Sequence, residues 1–392
     1  MNQQRLDKIQ NILNTMVAEN YIAGVNCLIY QHGEEQGYYQ AGFADIQKGI
    51  RMERHTICHL YSLTKPITAA AVMLLLEDGQ IDLLDPVEKY IPSFTNQMVA
   101  EGGELRPAKR SIVIKDLLNM QSGLVYPGIS CLAEHMAGEL FEEAAQKLGT
   151  EDELSTLQIA DRIGRLPLAF QPGTRWQYGT SADILGAIVE VASGMKYGEF
   201  LKKRFFEPLG MKDTGFYVEE SKLNRLSKAY EDGKRGLQEF YGTNAGINLQ
   251  NPTRPPRFES GGGGLLSTAE DYMKFGQMLL NGGTYNAQRI MGAETVKFLA
   301  NGRLPKAFTD DLLTWSGLEG FKYGNLMRVV VDPGLAMYNA AKGSYGWDGW
   351  LGAFFLNDPL NDVTVILMQQ KTGTGTTPYT RKILNIMASA LE

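Results

Sequence analysis

The stretch HLYSLTKPITAAAVMLLLEDG, residues 59–79, decides the fold, and its centre is Ser62-Leu63-Thr64-Lys65. Nearly every residue from Ile67 to Leu76 is apolar, so the helix it predicts is hydrophobic all round and must be buried. Gly79 stops it, and Pro66 is tolerated in the first turn, where its missing N–H would have no partner anyway. Lys65 stands one helical turn after Ser62, on the same face and at the mouth of this apolar run. A strongly hydrated cation there has two readings. It can snorkel outward while Ser62 caps the helix. Alternatively it is desolvated on purpose, so that it can take a proton from Ser62 or hold a neighbouring anion.

Working outward, residues 1–24 carry Leu6, Ile9, Ile12, Leu13, Met16 and Val17 at helical spacing, which predicts an amphipathic first helix. Its acidic residues and lack of an apolar core make it neither a signal nor a transit peptide. Two β-rich runs then flank His32-Gly33-Glu34 and predict a hairpin. From about residue 80 to 260 the pattern is mostly helical, with Pro/Gly turns. The chain becomes β-rich again in GNLMRVVVD, AFFLND and DVTVILMQQ, and PYTRKILNIMASALE closes as a helix. The expected fold class is α+β, an α/β sandwich. An antiparallel sheet is built from the N- and C-terminal segments and covered by the terminal helices, with a large, mostly helical lobe inserted between. The approximate division is an α/β lobe of 1–65 and 285–392 and a helical lobe of 66–284, with a site between them. The run SGGGG at 260–264 suits a close approach of backbone.

The 392 residues carry a net charge of −6, with 44% hydrophobic and 21% charged residues. That composition supports a substantial core and, lacking a basic stripe, excludes a nucleic-acid binder. No apolar run reaches the roughly 18 residues a membrane span needs. Three cysteines (Cys27, Cys58, Cys131) form no disulfide framework, and the expected compartment is the cytoplasm. His55 and His59 flank Cys58, but without an HExxH or Cys-x-x-Cys motif they point to packing rather than metal. There is no G-x-S-x-G elbow.

Five blocks together resemble the serine β-lactamase-related superfamily, most closely its class C, family VIII carboxylesterase and penicillin-binding-protein-like branch: HLYSLTKPITAAAVMLL, IKDLLNMQSGL, LPLAFQPGTRWQYGTSADILGAIVE, FFEPLGMKDTGF and SGGGGLLSTAEDYMKFGQMLLNGG. The resemblance implies an acyl-enzyme hydrolase with Ser62 as nucleophile, Lys65 beside it, and Tyr178 of WQYGTSADILG as the proton acceptor, a phenolate sustained by Lys65. It also implies a strand triad. The literal Lys371-Thr372-Gly373 follows the final strand and is set aside in favour of Trp347-Asp348-Gly349, with the backbone N–H of Trp350 joining that of Ser62 as oxyanion hole.

Two departures bear on substrate. Where the family has a carboxylate-attracting lysine, this chain has Trp347 and Asp348, and Thr180 stands where the family has an amide-binding asparagine. The expected substrate is a neutral or cationic acyl compound, most simply a short-chain ester, with no metal or organic cofactor. The alternatives with the same chemistry are a D-aminopeptidase or amidase (Asp348 meeting a substrate ammonium), a weak β-lactamase or an acyltransferase. A non-catalytic sensor of the same fold is the alternative of another class.

Overall fold

The computed structural model describes residues 1–244, 247–248, 252–302, 304, 309–315 and 317–392. Its centre is one antiparallel sheet made from both ends of the chain. The strands are β1 (Gly24–Gln31), β2 (Glu34–Asp45), β3 (Ile50–Arg51), β4 (Phe321–Gly324), β5 (Met327–Val330), β6 (Tyr345–Asp348), β7 (Phe354–Asp358) and β8 (Val363–Gln369). Their spatial order is β4-β5-β6-β7-β8-β1-β2-β3, so the first and last strands of the chain meet where Val25 pairs with Gln369. The expected first hairpin forms, with His32 and Gly33 both in the left-handed region at its turn.

The pleat sorts side chains to two faces. Val25, Cys27 and Ile29, with Val365 and Leu367, pack against Ile9, Leu13 and Met16 of α1 (Lys8–Ala18) and Ile383, Leu384 and Met387 of the final helix (Pro378–Ser389). Leu28, Ile366 and Met368 face the other way, into the core that surrounds α2 (Lys65–Glu77). That helix is buried along its whole length to Leu75, as its unbroken apolar run requires.

The inserted segment contributes α3 (Leu132–Gln146), α4 (Ser181–Ser193) and α5 (Ala269–Leu280). Two features depart from the sequence reading. First, α5, placed at the end of the inserted lobe, lies on the inner face of the sheet. Asn357 Nδ2 donates to Gly276 O at 2.9 Å and Gln277 Nε2 to Thr364 Oγ1 at 2.8 Å. A Cβ at Gly276 would come within 2.9 Å of Thr364, so helix and strand approach closely there. Second, the supposedly helical stretch contains short hairpins, among them Met98–Glu101 with Glu104–Pro107 and Tyr230–Gly233 with Gly236–Glu239. The first turns at Gly102-Gly103, both with positive φ. Among the described residues no helix is long and apolar enough to cross a membrane.

Just before the decisive stretch, Cys58–His59 pairs with Leu266–Ser267 and ties the approach to α2 to the strand ahead of α5. The His59 ring is fully enclosed, its Nε2 has no hydrogen-bond partner, and burial pushes its pKa down to about 4. Between pH 6.5 and 4 the unfolded chain therefore takes up a proton that the folded protein refuses, and stability falls with pH across that window by up to about 3 kcal/mol. His59→Gln is expected to flatten this part of the profile, read from urea midpoints at pH 4.5 and 7.5. An unchanged acid loss in the variant would assign it to other groups.

Candidate active site

Ser62 lies in a single 3₁₀ turn, Tyr61–Thr64, that feeds directly into α2. Tyr61, just before it, takes φ +48°, a left-handed conformation that turns the chain from strand to helix within one residue. Lys65 is the first residue of α2 and has no exposed surface. Its Nζ reaches Ser62 Oγ at 3.1 Å, Tyr126 OH at 3.0 Å and Gly262 O at 2.7 Å, three acceptors for an ammonium's three hydrogens. The lysine does not snorkel. Burial lowers its pKa to about 7, and the Asp183 carboxylate opposes that drop.

Tyr178 arrives from the turn ahead of α4. Gly179 beside it packs on the Leu124–Val125 backbone, where an added Cβ would stand 2.1 Å from Leu124 O. The Tyr178 ring lies 4.6 Å from Lys65 Nζ, and its hydroxyl accepts from Trp347 Nε1 at 3.1 Å. Enclosure raises the phenol's pKa, an effect that the neighbouring Ser62 hydroxyl and Trp347 N–H only partly offset. The phenolate expected from the sequence is therefore not the form this environment favours. A lysine with its pKa lowered to about 7 has the neutral amine within reach near neutral pH.

The strand triad sits at the end of β6. A Cβ on Gly349 would meet Leu60 O at 2.1 Å, so only glycine lets β6 come this close to the turn that carries Ser62. Gly349 N–H donates to Ala353 O at 2.7 Å, folding the chain back at Trp350. The Trp350 ring packs against Tyr61 and Phe240, with centroids 5.3 and 5.5 Å away. Trp315, Trp347 and Tyr178 form a second aromatic cluster, with 4.7 Å between the Trp315 and Tyr178 rings.

Asp348 and Thr180 do not sit as the sequence suggested. Arg328 Nη1 donates to Asp348 Oδ2 at 2.9 Å and its Nη2 to Thr376 Oγ1 at 2.7 Å, while Thr376 also donates to Asp348. The guanidinium is buried over the Trp347 ring. The carboxylate is thus already neutralised and unavailable to a substrate cation. Thr180 is buried and borders a small apolar void shared with Val125, Ala133, Ala137 and Phe141, outside the hydrogen bonds around Ser62. Lys371 pairs with Asp232 at 2.8 Å and lies over the Tyr21 ring, away from this cluster. His55 faces Glu270 while His59 is buried, so the two do not converge. Among the described residues no group of His, Cys, Asp and Glu could hold a metal ion.

Three participants escaped the sequence reading: Tyr126, Asp183 and the carbonyl of Gly262. Asp183 Oδ1 accepts from Ser260 Oγ at 2.6 Å and Gly262 N at 3.0 Å, which aims the Gly262 carbonyl at Lys65. A Cβ at Gly262 would lie 3.0 Å from Tyr126 OH and 2.9 Å from Asp183, so the glycine run is where backbone must pass between two side chains. That run was the available signal.

A family model described as Beta-lactamase matches residues 9–386. The chain is 31% identical to Protein Rv1367c of Mycobacterium tuberculosis, over 93% of this chain and 90% of that one. It is 28% identical to Esterase EstB of Burkholderia gladioli, over 92% and 89%. Among solved structures, EstCE1, a hydrolase with promiscuous acyltransferase activity, superimposes with a TM-score of 0.82 at 23% identity, covering 98% of this chain and 99% of that one.

Proposed function

The chain belongs to the Beta-lactamase family and is a serine hydrolase, and from that premise we propose that it is a carboxylesterase for small neutral esters, working through an acyl-enzyme on Ser62. The observation that carries the substrate assignment is Trp347. It occupies the position the resemblance gives to a carboxylate-binding lysine, and its N–H is engaged by Tyr178 OH. With Asp348 neutralised by Arg328 and aromatic clusters that include Tyr61 and Tyr178, the surroundings of Ser62 suit an uncharged, apolar acyl group. The similarity to Esterase EstB supports the same reading.

In the proposed cycle, Lys65 in its neutral form accepts the Ser62 proton as Oγ attacks the ester carbonyl. The backbone N–H groups of Ser62 and Trp350 hold the oxyanion. Lys65 then returns the proton to the leaving alkoxide, while Tyr178 stays protonated beside the Ser62 oxygen. Water then attacks the acyl-enzyme by the same route. An acyltransferase would differ only in offering an alcohol at that last step.

The expected preference is measurable. kcat/KM for a p-nitrophenyl short-chain ester should exceed that for a chromogenic cephalosporin by at least about a hundredfold, the discrimination a missing charge partner for the lactam carboxylate produces. The reverse order would sink the ester assignment.

The amidase alternative depends on Asp348 meeting a substrate ammonium. Asp348→Asn should instead lower stability by about 3 kcal/mol, because the buried guanidinium keeps its charge and loses its carboxylate. It should also depress turnover of neutral esters and D-aminoacyl amides by the same factor. A loss confined to the amides would restore cation recognition.

A further inference from the structure

Trp315 is the most exposed ring of the aromatic cluster beside Ser62. Trp347, Trp176 and Tyr323 are buried, whereas 39% of Trp315 faces solvent. Its indole lies 4.7 Å from the Tyr178 ring, 5.7 Å edge-on from Trp176 and 6.2 Å from Trp347, the last pair only 26° from parallel. These are separations at which aromatic rings attract one another. Tyr178 in turn places its hydroxyl against that of Ser62, so a single ring separates the exposed indole from a group that touches the nucleophile.

The indole is held in this place by its own turn. Asp311 accepts from Trp176 N–H at 3.1 Å and from Arg175 Nη2 at 3.2 Å, which clamps the turn carrying Trp315 to the residues just ahead of Tyr178. Trp315 N–H donates to Leu312 O at 3.1 Å, and the Leu312 side chain is buried. The leucine already anchors the turn to the core, which leaves the indole's open surface for a partner outside the chain. A ring fixed in this way loses little freedom when another flat group is laid against it.

The chemistry of the cycle says which part of the substrate that group is. The carbonyl oxygen turns to the N–H groups of Ser62 and Trp350, so the alcohol oxygen must face Lys65, which returns its proton. Lys65 Nζ lies 4.6 Å from the centre of the Tyr178 ring. The alcohol portion therefore leaves past Tyr178, and Trp315 is the next ring outward. We propose that Trp315 is a specificity-determining residue that binds the alcohol portion of the ester and selects esters of flat, aromatic alcohols. The inference rests on the ester-hydrolase reading given above and names the alcohol class for it.

The test compares benzyl acetate with cyclohexylmethyl acetate, whose saturated ring is the more hydrophobic but is not flat. Wild-type kcat/KM should favour the benzyl ester about fivefold, the scale of an aromatic contact beyond simple burial. Trp315→Leu should bring the ratio to about one, and Trp315→Phe, which keeps a ring, should retain most of it. A ratio unchanged in Trp315→Leu while both rates fall together would make the indole a prop for Tyr178 and overturn the proposal. Methyl phenylacetate against methyl cyclohexylacetate puts the same rings on the acyl side; a Trp315→Leu effect found there instead would overturn the assignment to the alcohol. Benzyl alcohol and cyclohexylmethanol, titrated into Ser62→Ala protein and followed by ligand NMR, read the same contact without turnover. The aromatic alcohol should bind about fivefold more tightly, and Trp315→Leu in the Ser62→Ala background should abolish the difference. Equal binding in Ser62→Ala, or a difference that survives Trp315→Leu, would overturn the subsite. Wild-type protein that hydrolyses none of these esters, with the binding difference present, would support the subsite and sink the ester reading instead.

Discussion

Ser62→Ala protein is expected to hydrolyse a p-nitrophenyl ester roughly 100,000-fold more slowly than the wild type, the scale on which removing a nucleophile from an acyl-transfer centre acts. It should also take up no fluorophosphonate label. The reason is local and geometric. Ser62 Oγ is the aliphatic hydroxyl within 3.1 Å of an amine that burial has made weak enough to release its proton near neutral pH. Ser122 and Ser181, deep in the inserted lobe, bond to each other at 2.8 Å. The variant should fold normally, since Ser62 is only half-buried and its side chain caps nothing that α2 needs. Labelling that survives in Ser62→Ala would place the nucleophile elsewhere. Loss of labelling together with loss of the folded transition would leave the assignment to Ser62→Cys, which keeps size and position.

How much of this was written in the chain depends on the range of the interaction. The Ser62–Lys65 pair is a matter of one helical turn, although the all-apolar helix behind it left a snorkelling lysine open beside a buried one. Tyr178 is 113 positions from Lys65, and only the resemblance of its flanking block pointed to it. The third class of participant was illegible. The carbonyl of Gly262 has no side chain to recognise, and Asp183 acts on Lys65 through space and through Ser260. Arg328 is instructive. Its partner Asp348 becomes visible only from strand register: Arg328 pairs with Gly346, so Asp348, two residues on, is its diagonal neighbour on the same face. Without that register Asp348 looks like a free anion awaiting a substrate. The missed hairpins have a similar cause, since Met98–Pro107 and Tyr230–Glu239 are short, polar and mostly exposed, and lack the apolar alternation that marks a strand.

Lys65→Arg should lower kcat/KM about a thousandfold, within the range that a positioned general base supplies, while preserving the positive charge. Arginine keeps its proton under all working conditions, so it can satisfy Gly262 O and Tyr126 OH yet cannot relieve Ser62 of a hydrogen. A purely electrostatic role for the lysine would tolerate the exchange far better, and a loss of less than about tenfold would favour that role. The pH profile separates the two independently. If the neutral amine is the base, kcat/KM rises with pH and levels off above about 7, where Lys65 loses its proton. Asp183 is the group that favours the ammonium, so Asp183→Asn removes a stabilising charge, lowers the lysine's pKa further and moves the acid limb to lower pH. Were Tyr178 the base as phenolate, removing the same negative charge would ease its ionisation too, but from a pKa that enclosure has raised above its ordinary value, so the limb would lie in the alkaline range. An acid limb above pH 10 in the wild type would therefore return the proton-accepting role to Tyr178, and one near neutrality that follows Asp183→Asn downward assigns it to Lys65.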